Sequence, residues 1–203
     1  MSSKSKRFTA AMVIRKIMIP PVMAAVFFTV LLFLKKGTFV FAADYIAAMI
    51  GIVIFPVLAY PVSLLAPALR EKGREGQRNL AFIFSAAGYV LTFLYALQPG
   101  RSDAFRLITL IYVLSVAMLL FFNKLLHIRA SGHSCSVSGP MIACLLFFGA
   151  KCLLPCLVLY GLSLWSSVVT RRHTAGEFLM GSFANLVASA LAVILISLSQ
   201  TLH

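Results

Sequence analysis

An all-α fold, a polytopic bundle of about seven transmembrane helices, is what this sequence predicts, and three observations predict it. The chain is 61% hydrophobic and 11% charged, with a mean hydropathy of +0.99, far outside the composition of water-soluble domains. Its apolar residues gather into runs of roughly 17–25, the length a helix needs to cross the hydrocarbon core of a bilayer. The breaks between runs are short, and they hold basic residues, Gly or Pro.

Residues 1–16 read as a basic N-terminal tail, and 17–203 as a single transmembrane helical domain. The first span, 17–34, closes at Lys35-Lys36. Its apolar stretch of about 18 residues is longer than a signal-peptide core, so it is expected to remain as an anchor, although "FVFAAD" (39–44) echoes a cleavage site. The second span, 45–67, contains Pro56 and Pro61, either of which can kink a helix. Spans at 80–97 and 107–123 follow. The fifth and sixth, 134–149 and 151–168, are separated only by Gly149-Ala150-Lys151, so six spans is the alternative count. The last runs over 174–198, with small residues (Gly176, Gly181, Ser182, Ala184, Ala188, Ala190) that let neighbouring helices approach.

The net charge of +13 sets orientation; with no soluble domain to present a binding face, no nucleic-acid partner is expected. Seven spans put thirteen of the eighteen basic residues on the N-terminal side and leave Lys35, Lys36, Arg101, Arg106 and Lys151 on the other. The positive-inside rule then places the N-terminal side in the cytoplasm, and a bacterial cytoplasmic membrane is the expected location. Cys135, Cys144, Cys152 and Cys156 lie in apolar runs without a C-x-x-C pair, which implies neither disulfide nor zinc. Asp44, Glu71, Glu75 and Asp103 read as widely separated loop residues, so no carboxylate cluster suits a divalent cation, and neither metal nor cofactor is expected.

Ionisable groups at the mouths of spans are costly and usually face a site. Three clusters fall on the N-terminal side: "REKGREGQRN" (70–79), "KLLHIRASGHSCSVSGP" (124–140) and "RRHTAGEF" (171–178). In the third, His173 and Glu177 are four apart and share a helix face, so the carboxylate can fix the imidazole tautomer and leave the opposite ring nitrogen nucleophilic. Arg171 and Arg172, with the helix N-terminal amides, make a ready anion site. Taken alone, the stretch reads equally well as a basic patch followed by a helix cap. In the second cluster Arg129, Ser131 and the Gly132 amide can converge on an oxyanion, with His133 as proton donor and Lys124 as a further cation.

These residues resemble motifs of the type 2 phosphatidic acid phosphatase superfamily, the membrane lipid phosphatases related to vanadium haloperoxidases. The second motif, P-S-G-H, is matched by Ala130-Ser131-Gly132-His133. The third, S-R-x5-H-x3-D, is matched in spacing by Ser166, Ser167, His173 and Glu177. The resemblance covers roughly 124–190, and it departs at Ala130 for proline, Ser167 for arginine and Glu177 for aspartate. The first motif, K-x6-R-P, has only an echo from Lys72 to Arg78-Asn79, one residue short.

The resemblance implies that His173 attacks phosphorus to form a phosphohistidine, with Glu177 orienting it. His133 would protonate the leaving alkoxide and then activate water. Arg129, Arg172, Ser131 and Gly132 would hold the phosphoryl oxygens, with Arg171, Lys124 and Arg78 as further phosphate contacts. The expected substrate is a lipid or isoprenoid phosphomonoester or diphosphate lying in the bilayer, hydrolysed without metal. The alternative is a non-catalytic lipid-phosphate binding or transport protein that retains the fold. Phosphotransfer to an acceptor other than water and assembly as a homodimer are left open.

Overall fold

The computed structural model describes residues 3–65 and 73–201, apart from the side chains of 3, 4, 74 and 75. Arg70, Glu71 and Lys72, and with Lys72 the start of the first-motif echo, lie outside the described residues. Every regular element among them is helical: α1 (Ser3–Ile17), α2 (Pro20–Leu34), α3 (Ala42–Leu65), α4 (Gly73–Ala96), α5 (Asp103–Leu120), α6 (Gly132–Phe148), α7 (Leu153–Val169) and α8 (Ala175–Thr201). A π-helical turn (Phe121–Leu125) prolongs α5, and a 3-10 turn (Gly149–Cys152) joins α6 to α7.

From Ser3 the basic N-terminal segment is helical. Ala11 of α1 is fully buried, and Ile14 joins Met18 in packing against Val137 and Met141 of α6. A residue before proline is driven out of the α region. Ile19, ahead of Pro20, is accordingly extended (φ −73, ψ 147), and α1 meets α2 at 54°.

Five helical stretches are long and apolar enough to cross a membrane, or six if the bent α1–α2 pair is one span. The chain is an integral membrane protein. That count takes Gly132–Val169 as a single stretch, where the expected seven has two spans; α6 and α7 have 17 residues each and α2 has 15, about 22–26 Å at ~1.5 Å per residue. The stretch Gly132–Val169 totals 38 residues, but Gly149 (φ 70, ψ −158) leaves helical geometry within it. Cys156 on α7 comes back to within 3.7 Å of the Met141 carbonyl on α6. The two helices are therefore arms of a hairpin, turning at the break legible in the sequence.

The kink expected at Pro56 takes the form of a π-helical segment, Met49–Ile54, immediately ahead of it. A proline removes one backbone donor and crowds the preceding turn, and a widened turn accommodates both. Gly51 in this segment packs backbone to backbone on Gly88 of α4; a Cβ on Gly51 would come within 2.8 Å of the Gly88 carbonyl oxygen.

Asp44 is not a loop residue. It lies fully buried in the first turn of α3, 2.9 Å from Arg101 Nε. Its carboxylate accepts from Phe41 N at 2.9 Å and from Tyr95 OH at 3.1 Å. The Arg101 guanidinium also stacks on the Phe41 and Tyr95 rings, 4.4 and 4.7 Å from their centroids. A buried carboxylate left unpaired would be strongly destabilising, so these partners are what let it sit there.

A polar seam joins the helices that carry the two histidine clusters. Asn185 of α8, 2% exposed, donates to Ser115 Oγ of α5 at 2.8 Å and approaches Cys135 Sγ of α6 at 3.8 Å. Its Oδ1 accepts from Ser189 at 3.2 Å. Interhelical bonds of this kind contribute about 1 kcal/mol in membranes. Asn185→Leu, close to isosteric, is expected to lower stability by about that much in denaturant titration of the detergent-solubilised protein. An unchanged unfolding free energy would show that the seam contributes nothing.

Candidate functional site

The site is built where α7 ends, α8 begins and α6 starts. After Thr170, Arg171 N donates to the Val168 carbonyl at 3.0 Å and Arg172 N to the Ser167 carbonyl at 3.1 Å. This is the paired pattern of a Schellman motif, which needs a left-handed residue at its hinge. Arg171 supplies it at φ 52, where glycine is the usual occupant; an L side chain there costs about 1–2 kcal/mol. The turn reverses the chain within four residues and presents His173 and Thr174 to the start of α8.

Thr174 and Glu177 form a reciprocal capping box. Glu177 N donates to Thr174 Oγ1 at 3.1 Å, and Thr174 N donates to Glu177 Oε2 at 3.2 Å. The same carboxylate accepts from His173 Nδ1 at 3.3 Å, and its other oxygen lies 3.3 Å from Arg129 Nη1. Glu177 is thus both helix cap and imidazole partner. Because a carboxylate only accepts, Nδ1 carries the proton and Nε2 is left with the lone pair.

Burial pushes the His173 pKa down, the Glu177 hydrogen bond and charge pull it up, and the Arg15 and Arg78 charges push it down again; the net direction is below 6.5. His173 is therefore neutral at neutral pH.

The loop before α6 is fixed by a residue the sequence reading passed over. Asn123 bonds both backbone groups of Ala130, its Oδ1 accepting from Ala130 N and its Nδ2 donating to Ala130 O, each at 3.1 Å. Ser131 then caps α6, its hydroxyl accepting from Ser134 N at 3.2 Å. Ser131 N donates to the Glu177 carbonyl at 2.9 Å, Ser134 donates to the Phe178 carbonyl, and Ser134 and Ser182 hydroxyls meet at 2.8 Å. Gly181 makes this closeness possible: a Cβ there would run into the Ser131 backbone, with its N and C at 3.0 Å.

A shallow cleft of about 420 Å³ results, lined by Arg129, Val168, Arg171, Arg172, His173, Thr174 and Glu177. Five of the expected site residues line it: His173, Glu177, Arg129, Arg171 and Arg172. Ser131 does not join them as an oxyanion donor, since it is 2% exposed and its hydroxyl is committed to the cap of α6. The expected convergence of Arg129 and Ser131 on one oxyanion is therefore revised: Arg129, with 82% of its side chain exposed, reaches Glu177 instead.

His133, one residue into α6, is half-buried, and its Nε2 is buried without a hydrogen-bond partner among the described residues. The exposed Gly132 begins the same helix. Lys124 is exposed on the π-helical turn, away from the cleft lining. Arg78 is exposed near the start of α4, and its charge reaches His173.

Sequence reasoning missed Arg15, Asn123 and Thr174. Thr174 was legible as the first residue of a T-x-x-E capping box. Arg15 and Asn123 act over chain separations that no local pattern reveals. No family model, curated protein or solved structure matches the chain.

Proposed function

We propose that the protein is a membrane lipid phosphate phosphatase, hydrolysing a phosphomonoester or diphosphate of a lipid or isoprenoid through a phosphohistidine. The observation that carries the reading is the tautomer-fixed His173, held by Glu177 in a cleft with Arg129, Arg171 and Arg172. A neutral imidazole with a free Nε2 amid guanidinium groups suits attack on a phosphate far better than it suits a structural cap, which Thr174 and Glu177 complete without it.

In this mechanism Nε2 of His173 attacks phosphorus and the bond from phosphorus to the lipid oxygen breaks. His133 enters as the imidazolium, a form that a phosphate dianion beside it favours, gives that proton to the departing alkoxide, then takes one from the water that cleaves the phosphohistidine, which returns both histidines to their starting state. The arginines balance charge on the transferring group. The departure at Ala130 has a local reason in this reading: its N–H, which proline lacks, is held by Asn123. The excess of basic residues on the site's side of the bundle favours a cleft facing the cytoplasm.

Phosphate release by the purified wild type is the test, using phosphatidate, phosphatidylglycerophosphate and farnesyl or polyprenyl phosphates and diphosphates with chelator present. Release from at least one of them is expected. If none is hydrolysed while a labelled lipid phosphate still binds, the catalytic reading fails and a binding or transport protein takes its place.

A further inference from the structure

Arg15 of α1 lies 152 positions before Ser167 in the chain, yet its Nη1 donates to Ser167 Oγ at 3.1 Å. Ser167 is fully buried at the C-terminal end of α7. Arg15 is partly buried, and no carboxylate pairs with it among the described residues. Its surroundings are cationic or basic: the Arg172 charge opposes its own, and its charge reaches His133 and His173. A half-buried guanidinium among like charges, held by one hydroxyl, is best stabilised by an anion. Glu177, the one carboxylate lining the cleft among the described residues, is already engaged by Arg129.

We propose that Arg15 is a phosphate-binding residue, a guanidinium delivered by α1 to the position where Ser167 itself supplies none. The identity of the anion rests on the phosphatase reading, while the role of Arg15 rests on its own geometry. Ser167 is the position at which the resemblance calls for an arginine. The Ser167 hydroxyl holds one end of the fork, and the other guanidinium N–H groups, without a partner among the described residues, are left for phosphoryl oxygens. The α1 helix, bent away from α2, becomes a part of the site, and a phosphate bound there ties α1 to the α7–α8 turn.

The experiment compares wild type, Arg15→Ala and Arg15→Ala/Ser167→Arg in detergent, reading kcat/KM on the best lipid phosphate and the rise in melting temperature given by inorganic phosphate. Removing one donor to a transition-state oxyanion typically lowers rate by about 100-fold or more. Arg15→Ala is expected to lose about 100-fold in kcat/KM and to lose phosphate stabilisation. The double variant, whose new side chain can fill the space the first one vacates, is expected to regain at least about tenfold of that loss. A purely structural tie between α1 and α7 would not be restored this way.

Wild-type kcat/KM and phosphate stabilisation in Arg15→Ala would overturn the proposal, as would a loss that Ser167→Arg does not restore. If phosphate stabilises the wild type through Arg15 but no lipid phosphate is cleaved, Arg15 stands as a phosphate ligand and the phosphatase reading falls. If wild type neither responds to phosphate nor cleaves, both fall together.

Discussion

His173→Ala is expected to abolish phosphate release, lowering kcat by about 10⁴-fold or more, the scale seen when a covalent nucleophile is removed. Glu177→Gln is expected to lose much less, because an amide oxygen can still accept from Nδ1 while the charge is gone. The pH profile follows from His173 as well. Its neutral form is the nucleophile, and burial with the Arg15 and Arg78 charges depresses its pKa below 6.5 against the pull of Glu177. The acid limb of kcat/KM is therefore expected below pH 6.5, and Arg78→Ala is expected to move it upward.

The linked stability has the same origin. The unfolded chain takes up the His173 proton more readily than the folded one, so the group leaves stability unchanged well above pH 6.5 and lowers it as pH falls through that value. Residual hydrolysis in His173→Ala near the wild-type rate would remove this histidine from the chemistry. An acid limb above pH 6.5 would show that it is not the titrating nucleophile.

Gly181→Val is expected to be the most damaging change away from the chemistry. Valine in place of glycine within a helix gains a few tenths of a kcal/mol in propensity. Against that stands a Cβ driven into the Ser131 backbone, and overpacking against a rigid neighbour costs about 1–3 kcal/mol or more. The clash wins. The start of α6 must move off α8, breaking the Ser131 N to Glu177 O bond and shifting His133 relative to His173. Misplacement by about 1 Å can cost 100-fold in rate, so both a lower melting temperature and a loss of about that size are expected. Gly161→Val on α7 is the control, because a Cβ there meets no atom within 4 Å. Equal behaviour of the two variants would show that the α6–α8 contact does not hold the site together.

The fold class was legible because burying twenty apolar residues in lipid leaves a backbone no choice but to bond within itself. Span boundaries were legible to within a few residues where Gly or Pro marks them, as at Gly149. The helical state of residues 3–17 was not, since its polar and basic side chains obscure the narrow face of Ala11 and Ile14 that packs inward. Asp44 was misread as a loop residue because its partner, Arg101, lies across a helical hairpin.

In the site, the spacing of His173 and Glu177 carried the contact at 3.3 Å but not its form: His173 lies in the turn ahead of α8, so the two do not share a helix face, and the Glu177 side chain meets the imidazole as it folds back to cap Thr174 N. Ser131 was overread: its place before α6 made it a hydroxyl near a motif histidine, but the same place makes it the cap.

The sequence by itself determined that this chain lives in a membrane, that it is helical, and that His173 and Glu177 act as a pair. Those properties follow from composition and from a separation of four residues across the start of α8. Only the tertiary structure decided that Arg15 reaches Ser167, that Asn123 holds Ala130, and that Gly181 lets α6 and α8 close on one cleft. These contacts join residues 7 to 152 positions apart, and their partners are selected by how the helices pack, which no local pattern encodes.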